Sequence, residues 1–335
     1  MSTRKRFHEL VDGFASRRVV LYGDMVLDRF VRGSPKRISR EAPVIILRFE
    51  GQRDLPGGGA NALANIAGLG GTVLPVGVVG DDEAGMSLLA ELARRGVDTA
   101  GVTVLPGFRT VTKVRILAGG PTSLRHQVAR YDVEDHLPDH DGWRHELLGR
   151  LDVAAAGAHA AAVSDYGYGV VDRTGMARLK RALPNGAQVV ADSRFGLAEL
   201  GPVDGATPNL EELAGTGEPP ADDASVVKAA EAMRARLGAR FIAATRGPDG
   251  ITLVEKGAEP FHVPVFGSDQ VADVTGAGDT VLATLTLALA AGGTPREAAV
   301  IANLAGGIVV TKLGTATVAP EELHRAIDVA PFIHA

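Results

Sequence analysis

Short apolar runs rich in valine, isoleucine and alanine recur along the chain: RVVLYGD (18–24), VLPVGVVG (73–80), AAVSDYG (161–167), AQVVADS (187–193) and RFIAATRG (240–247). Between most of them lie stretches of helical spacing, such as GMSLLAELARRG (85–96), TGMARLKRAL (174–183) and ASVVKAAEAMRARLG (224–238). Alternating strand and helix signals predict βαβ units and a mainly parallel sheet, an α/β fold. Several of the strands end in an acid or a glycine, and in such sheets ligands bind just outside the carboxyl ends. Residues 29–56 and 108–132 break the rhythm. Both read as β with no helix to cover a face, either a small sheet projecting from the body or a pair of edge hairpins.

The formal charge of −5 offers no basic field to nucleic acid or an anionic membrane, so a small-molecule partner is expected. The absence of cysteine removes disulfides, thiolate nucleophiles and cysteine-ligated metals, and accords with a cytoplasmic protein. The N-terminus mixes Glu9 and Asp12 with its basic residues and has no apolar h-region, unlike a signal peptide. The most apolar run, Thr280 to Gly293, is shorter than the ~20 residues a membrane span needs.

That run follows DVTGAGDT (273–280), which holds two carboxylates around a turn of small residues. Gly276 and Gly278 allow backbone angles and close approaches that other residues forbid. If a helix begins near Gly278, its first amides are unpaired and face the turn with the positive end of the helix dipole. Such a place suits a phosphoryl group in transfer, and Asp279 then stands where a nucleophile's proton must go. The helix start should favour its ionised form at neutral pH. A plain capping acid after a turn glycine accounts for the same letters. The third glycine of a dinucleotide fingerprint is missing, since Val281 occupies it, and no GK dipeptide exists for a Walker loop.

LPGGGANALANIAGLGG (55–71) leads three glycines into a helix of small residues with Asn61 in its first turns. This suits a polyhydroxylated ligand, and equally suits tight helix–sheet packing. Asp28, in a loop after the first strand, could accept two sugar hydroxyls or be a solvated acid. TPNLEEL (207–213) puts Asn209 and Glu212 on one face at a helix start, apt for a hydrated Mg²⁺ or for an N-cap with an acid in the first turn.

Together these motifs resemble the PfkB, or ribokinase-like, family of carbohydrate kinases. The cluster at 57–61 is similar to its first signature, NLEE to its magnesium-associated N-x-x-E motif, and DVTGAGDT to its second signature, in the family's order over roughly 18–321. GDMVLDRF, RISREAPV, TKVRIL, SDYGYG, TPNLEE and KLGTATVAP further resemble the D-glycero-β-D-manno-heptose 7-phosphate kinases, the kinase half of bifunctional ADP-heptose synthesis proteins. The resemblance implies a three-layer αβα sandwich, a single kinase domain over 1–335, with a β lid from 29–56 and 108–132. It implies ATP-dependent phosphorylation of the sugar's O1, giving the 1,7-bisphosphate. Asp279 would be the base and the Gly276, Ala277 and Gly278 amides the anion hole. Asp28, Gly57, Gly58, Asn61 and Asp165 would hold the sugar, and Lys113, Arg115 and Arg130 its 7-phosphate. Asn209 and Glu212 would bind Mg²⁺ through water, and Thr245, Arg246, Gly247, Gly250 and Asn303 would line the ATP groove. Asn303 could instead be a helix-interior amide paired locally, and the lid cations solvated surface groups. A monovalent cation near Asp273 and Thr275, and a homodimer formed through the lid, are further implications.

Two departures stand out. Relatives carry lysine where Tyr168 stands in SDYGYG, and a D-P-K run where this chain has ADSRF with Ser193 and Arg194. They leave open another sugar or sugar phosphate, or a weakly catalytic protein that senses sugar or nucleotide; a nicotinamide dehydrogenase is a remote alternative. No nucleotidyltransferase region follows the kinase motifs before residue 335, so adenylylation is expected of another protein.

Overall fold

A computed structural model describes residues 3–119, 126–139, 141–267 and 271–333. Helix α1 (Arg4–Asp12) precedes β1 (Arg18–Gly23), and the chain then leaves the body along β2 (Met25–Ile38) and β3 (Ile45–Gly58). It returns through α2 (Gly59–Gly68), β4 (Thr72–Gly80), α3 (Glu83–Arg94) and β5 (Val102–Leu105), and goes out again along β6 (Thr112–Ala118) and β7 (His126–Val133). The remainder stays in the body: α4 (Asp141–Ala155), β8 (Ala160–Asp165), α5 (Arg173–Ala182), β9 (Gln188–Ser193), β10 (Gly205–Ala206), α6 (Leu210–Ala214), α7 (Asp223–Leu237) and β11 (Phe241–Thr245). It ends with β12 (Ile251–Glu255), β13 (Phe261–Val263), α8 (Ala277–Ala290), α9 (Pro295–Val309) and α10 (Pro320–Val329).

The main sheet runs β13-β12-β11-β10-β9-β8-β1-β4-β5. It is parallel from β11 to β5, and β12 and β13 add an antiparallel edge. Successive strand residues enter opposite cores, as a two-sided strand requires. Val19 and Leu21 pack with α2, α8, α9 and α10, whereas Val20 and Tyr22 pack with α4, α5 and α7. Phe241 and Ala243 divide from Ile242 and Ala244 in the same way. The result is the expected α/β sandwich of three layers.

Helix α8 lies inside one of those layers, between α2 and α9, and every residue from Asp279 to Leu289 is buried. A helix apolar all round needs such a place. Among the described residues, no helix is long and apolar enough to cross a membrane.

The two segments outside the βα rhythm form a separate sheet, β3-β2-β6-β7. Residues 120–125 of the second segment lie outside the described residues. Asp28 was expected in a loop, but it sits within β2, paired with Leu55 of β3 and Lys113 of β6. The strand continues without a break because β3 supplies partners down to Gly57 and Gly58, which occupy its final positions. At the sheet's outer end Ile38, Val44, Ile45 and Phe49 are exposed.

Gly205 exposes a tight point in the sheet, since a Cβ there would lie 2.0 Å from Phe241 Cζ, in the middle of the core. Gly205→Ala is expected to destabilise the fold by about 1–3 kcal/mol, the range for overpacking a filled core, measured by urea unfolding.

Candidate active site

The end of β8, the starts of α2 and α8 and the lid strand β6 meet around Asp279 and Tyr166. Gly276 caps α8 in the left-handed conformation, φ +79°. A Cβ at 276 would also lie 2.3 Å from Asn61 Nδ2. No side chain caps the helix. Ala277 N donates to Val274 O at 3.3 Å, and Thr280 N begins the helical ladder on Gly276 O at 3.1 Å. The amides between them, of Gly278 and Asp279, are the ones the helix geometry leaves unpaired. Gly278 faces open space, where a Cβ would meet nothing within 4 Å.

Asp279 is 3% exposed. Asn61 Nδ2 donates to its Oδ2 at 2.9 Å, and the Tyr166 hydroxyl donates to its Oδ1 at 3.0 Å. Asn61 is oriented in turn by Asn65 Nδ2, 3.2 Å from its Oδ1, and Asn65 by Thr280 Oγ1 at 3.1 Å. Burial pushes the Asp279 carboxyl up to about 7, against the two hydrogen bonds and the charge of Lys113, and with the charge of Asp28. The helix start was expected to favour ionisation at neutrality. Desolvation is the larger effect here and places the titration at neutrality instead.

The lid contributes a face of alternating charge. Asp28 pairs with Arg115, Arg130 donates from Nε to Asp132 at 2.8 Å, and Lys113 Nζ lies 4.8 Å from the centroid of the Tyr166 ring. Lys113 is 7% exposed, and burial holds its pKa below the ordinary lysine range despite the opposing pull of Asp28. A Cβ on Gly57 would lie 2.7 Å from Asp28 Cγ, so this glycine makes room for a carboxylate of the protein. Gly58, at φ +53°, turns the chain into α2.

Asp165, at the end of β8, accepts from Ser193 Oγ at 2.6 Å and from Gly167 N at 2.9 Å. Ser193 also accepts from Gly196 N at 3.0 Å, so the departure from the D-P-K pattern here secures a turn beside Asp165. The Tyr168 hydroxyl donates to Glu134 Oε1 at 3.0 Å, just beyond β7, and ties the body to the base of the lid. Arg194 is exposed, with its guanidinium over the Phe195 ring.

On the other side of α8 lies a cavity of about 720 Å³, lined by Asn209, Thr245, Arg246, Gly247, Gly250 and Asn303 among others. Its walls, from Val265, Val271, Val274, Val281 and Val310, are apolar, as a nucleobase requires. The Arg246 guanidinium turns out of it, to Asp223 Oδ1 at 2.7 Å and Thr252 Oγ1 at 3.1 Å. Asn303 Nδ2 donates to Pro264 O at 2.8 Å, a partner 39 residues away and outside α9, not the local helix pairing weighed for it.

Asn209 and Glu212 form a reciprocal capping box on α6, with Glu212 N to Asn209 Oδ1 at 2.9 Å and Asn209 N to Glu212 Oε2 at 2.8 Å. Glu212 does not line the cavity, whereas Glu211 does. Burial raises the carboxyl of Glu212. It raises that of Asp192 well above the ordinary range, with the charges of Glu212 and Asp279 adding to it. A side-chain hydrogen bond from Thr207 opposes that rise at Asp192. Two adjacent carboxyls in want of positive charge suit a divalent cation that completes its shell with water and phosphate.

Three residues in these contacts were not singled out in the sequence: Tyr166, Asp24 and Asp192. Asp24 is 1% exposed, accepts the amides of Tyr166, Tyr168 and Val170 at 2.7, 3.2 and 3.4 Å, and is raised to about 6 by burial and by Asp165. Each stands at or just after a strand's carboxyl end, which is the signal that could have found them.

The description "pfkB family carbohydrate kinase" matches residues 16–322, and the chain belongs to that family, phosphotransferases that act on an alcohol group. Among curated relatives it is similar to the bifunctional protein HldE of Nitrosococcus oceani, 40% identical over 319 residues, covering 94% of this chain and 64% of the relative. HldE of Mesorhizobium japonicum is 38% identical, with 96% and 64% covered. The chain thus spans just under two thirds of the length of these relatives. Two solved structures share the fold: Arabidopsis thaliana ribokinase complexed with ribose and ATP, and Escherichia coli phosphofructokinase-2 in complex with potassium. The first has TM-score 0.73 at 21% identity, covering 94% of this chain and 99% of that one. The second has TM-score 0.74 at 20% identity, covering 93% and 98%.

The two glycines of the α8 turn should respond differently. Gly276→Ala drives a methyl into Asn61 at a left-handed position and is expected to lose about 1–3 kcal/mol of stability together with turnover. Gly278→Ala should keep stability within about 0.5 kcal/mol but impair turnover, because its methyl occupies the space before the free amides. Thermal melts and ADP release distinguish the two.

Proposed function

We propose that the chain is one kinase unit with an inserted lid that phosphorylates O1 of D-glycero-β-D-manno-heptose 7-phosphate at the expense of ATP, in the cytoplasm. The observation that carries the reading is the Asp279 carboxylate, held at the rim of α8 between Asn61 and Tyr166 and next to the unpaired amides of the helix start. The similarity to HldE proteins over nearly the whole chain supports the choice of sugar.

In this reading the sugar lies between the lid and α2, with its hydroxyls on Asn61 and Asp28 and its phosphate on Lys113 and Arg115. Arg115 is already paired with Asp28 in the lid and Lys113 lies over the Tyr166 ring of the body, so the phosphate takes over positions that Asp28 and the ring now occupy. Arg130, bound to Asp132, supplies charge from the rim. The sugar O1 loses its proton to Asp279 as its oxygen bonds to the γ-phosphorus and the bond to ADP breaks. The Gly278 and Asp279 amides stabilise charge on the transferring group. Glu212 and Asp192 would hold Mg²⁺ through water, and the ion would supply positive charge for the phosphates. The lid keeps out water that would compete with the sugar.

A monovalent cation is proposed beside Asp273, whose oxygens accept Thr275 N at 2.9 Å and Gly314 N at 3.0 Å. Burial raises this carboxyl, but its hydrogen bonds prevail and hold it ionised below the ordinary range. The exposed Ile38, Val44, Ile45 and Phe49 support a second copy of the chain pairing through the lid.

Asp279→Asn is expected to bind ATP normally and to lose roughly 10²–10⁴ in turnover, the span of general base catalysis. Turnover of the unmodified enzyme should rise with pH through about 7, because the working base is the ionised form. ADP release measured over heptose, hexose and pentose phosphates, with phosphorus NMR of the product, tests the acceptor. A product without an anomeric phosphate rejects the heptose assignment.

A further inference from the structure

Tyr166 follows directly on β8, and its side chain reaches the carboxylate at the start of α8. The two Asp279 oxygens are each held by a neutral donor on a different element, Oδ2 by Asn61 of α2 and Oδ1 by the phenol. The tyrosine is itself fixed on several sides. Its amide is bonded to buried Asp24 at 2.7 Å, its ring lies beside Lys113 of the lid, and it packs against Gly58, where a Cβ would come 3.3 Å from the ring. Burial holds the phenol far above its ordinary titration range, so the hydroxyl stays a donor at any working pH.

The terminal torsion of an aspartate is broad, so one hydrogen bond does not define the plane of the carboxylate. Two donors on opposite oxygens do. Each carboxylate oxygen has a second lone pair, so this grip leaves an acceptor site for a substrate hydroxyl. We propose that Tyr166 is a positioning residue of this kinase, whose phenol aims the Asp279 carboxylate at the acceptor oxygen and favours its ionised form. The inference rests on the reading of Asp279 as the base.

The electrostatics run in the same direction. Burial raises the Asp279 carboxyl to about 7, Asn61 and Tyr166 oppose the rise, Asp28 on β2 adds to it, and Lys113 on β6 subtracts. Asp192 on β9 is the further acid whose charge couples to it. Removing the phenol oxygen deletes one of the two hydrogen bonds that favour the ionised form, so the carboxyl should hold its proton to higher pH.

Carbon NMR of the full chain labelled at the aspartate carboxyl carbons reads this without any substrate, the Asp279 resonance being the one missing from Asp279→Asn. Its midpoint should lie near 7 in the unmodified protein and move upward in Tyr166→Phe. With heptose 7-phosphate as acceptor, Tyr166→Phe turnover at pH 7 should fall about fivefold for the first unit of that displacement and recover in part at higher pH, the remaining loss being that of the carboxylate's aim. The acceptor KM should stay within about twofold, since the phenol acts through the base. An unmoved midpoint, or turnover equal to that of the unmodified enzyme at every pH, overturns the proposal. Should Tyr166→Phe fail to fold, ring-fluorinated tyrosine in the unmodified sequence serves instead: the more acidic phenol donates more strongly and moves the midpoint down, and no movement overturns it. Retained turnover in Asp279→Asn removes the base reading itself. An inactive Asp279→Asn with an unmoved Tyr166→Phe midpoint removes Tyr166 alone.

Discussion

The burial of one carboxylate at the mouth of an apolar helix is the constraint on which the site depends. Asp279 is 3% exposed, at the head of a helix buried all the way to Leu289. A buried carboxyl is costly unless hydrogen-bonded, and here Asn61, backed by Asn65 and Thr280, and Tyr166, backed by Asp24, bear that cost. The two networks reach the base from α2 and from the end of β8. They join three elements at Asp279.

The site separates its charges by layer. Cations project from the lid strands β6 and β7, while the acids Asp165, Asp192 and Asp279 cluster on the body. Two of the lid cations are paired with lid acids, Arg115 with Asp28 and Arg130 with Asp132. On the body, burial and the charges of Glu212, Asp279 and Asp165 raise the affinity of Asp192 for protons.

Much of this was legible from local patterns. The alternation of apolar runs with helical stretches placed β1, β4, β8, β9 and β11 with α3, α5 and α7, because strand and helix periods are local properties. DVTGAGDT marked the start of α8 within about one residue, since the left-handed Gly276 and the uncharged run behind it leave few alternatives. The lid was legible only as an interruption. Its strand order, with β6 parallel to β2, joins segments some eighty residues apart. Tyr168 and Ser193 looked like changes to the site, yet their side chains hold Glu134 and Asp165 instead.

What the sequence by itself determined is the layer architecture and the chemical kind of the site, because hydrophobic period, glycine at a helix start and an acid beside it act over a few residues. Only the tertiary structure decided the state of each charged group. Whether Asp279 is ionised, whether Lys113 is solvated, and whether Arg246 faces the groove or Asp223 depend on desolvation and on partners distant in the chain. Those energies arise from what is brought together when water is excluded, and no stretch of neighbouring letters contains them.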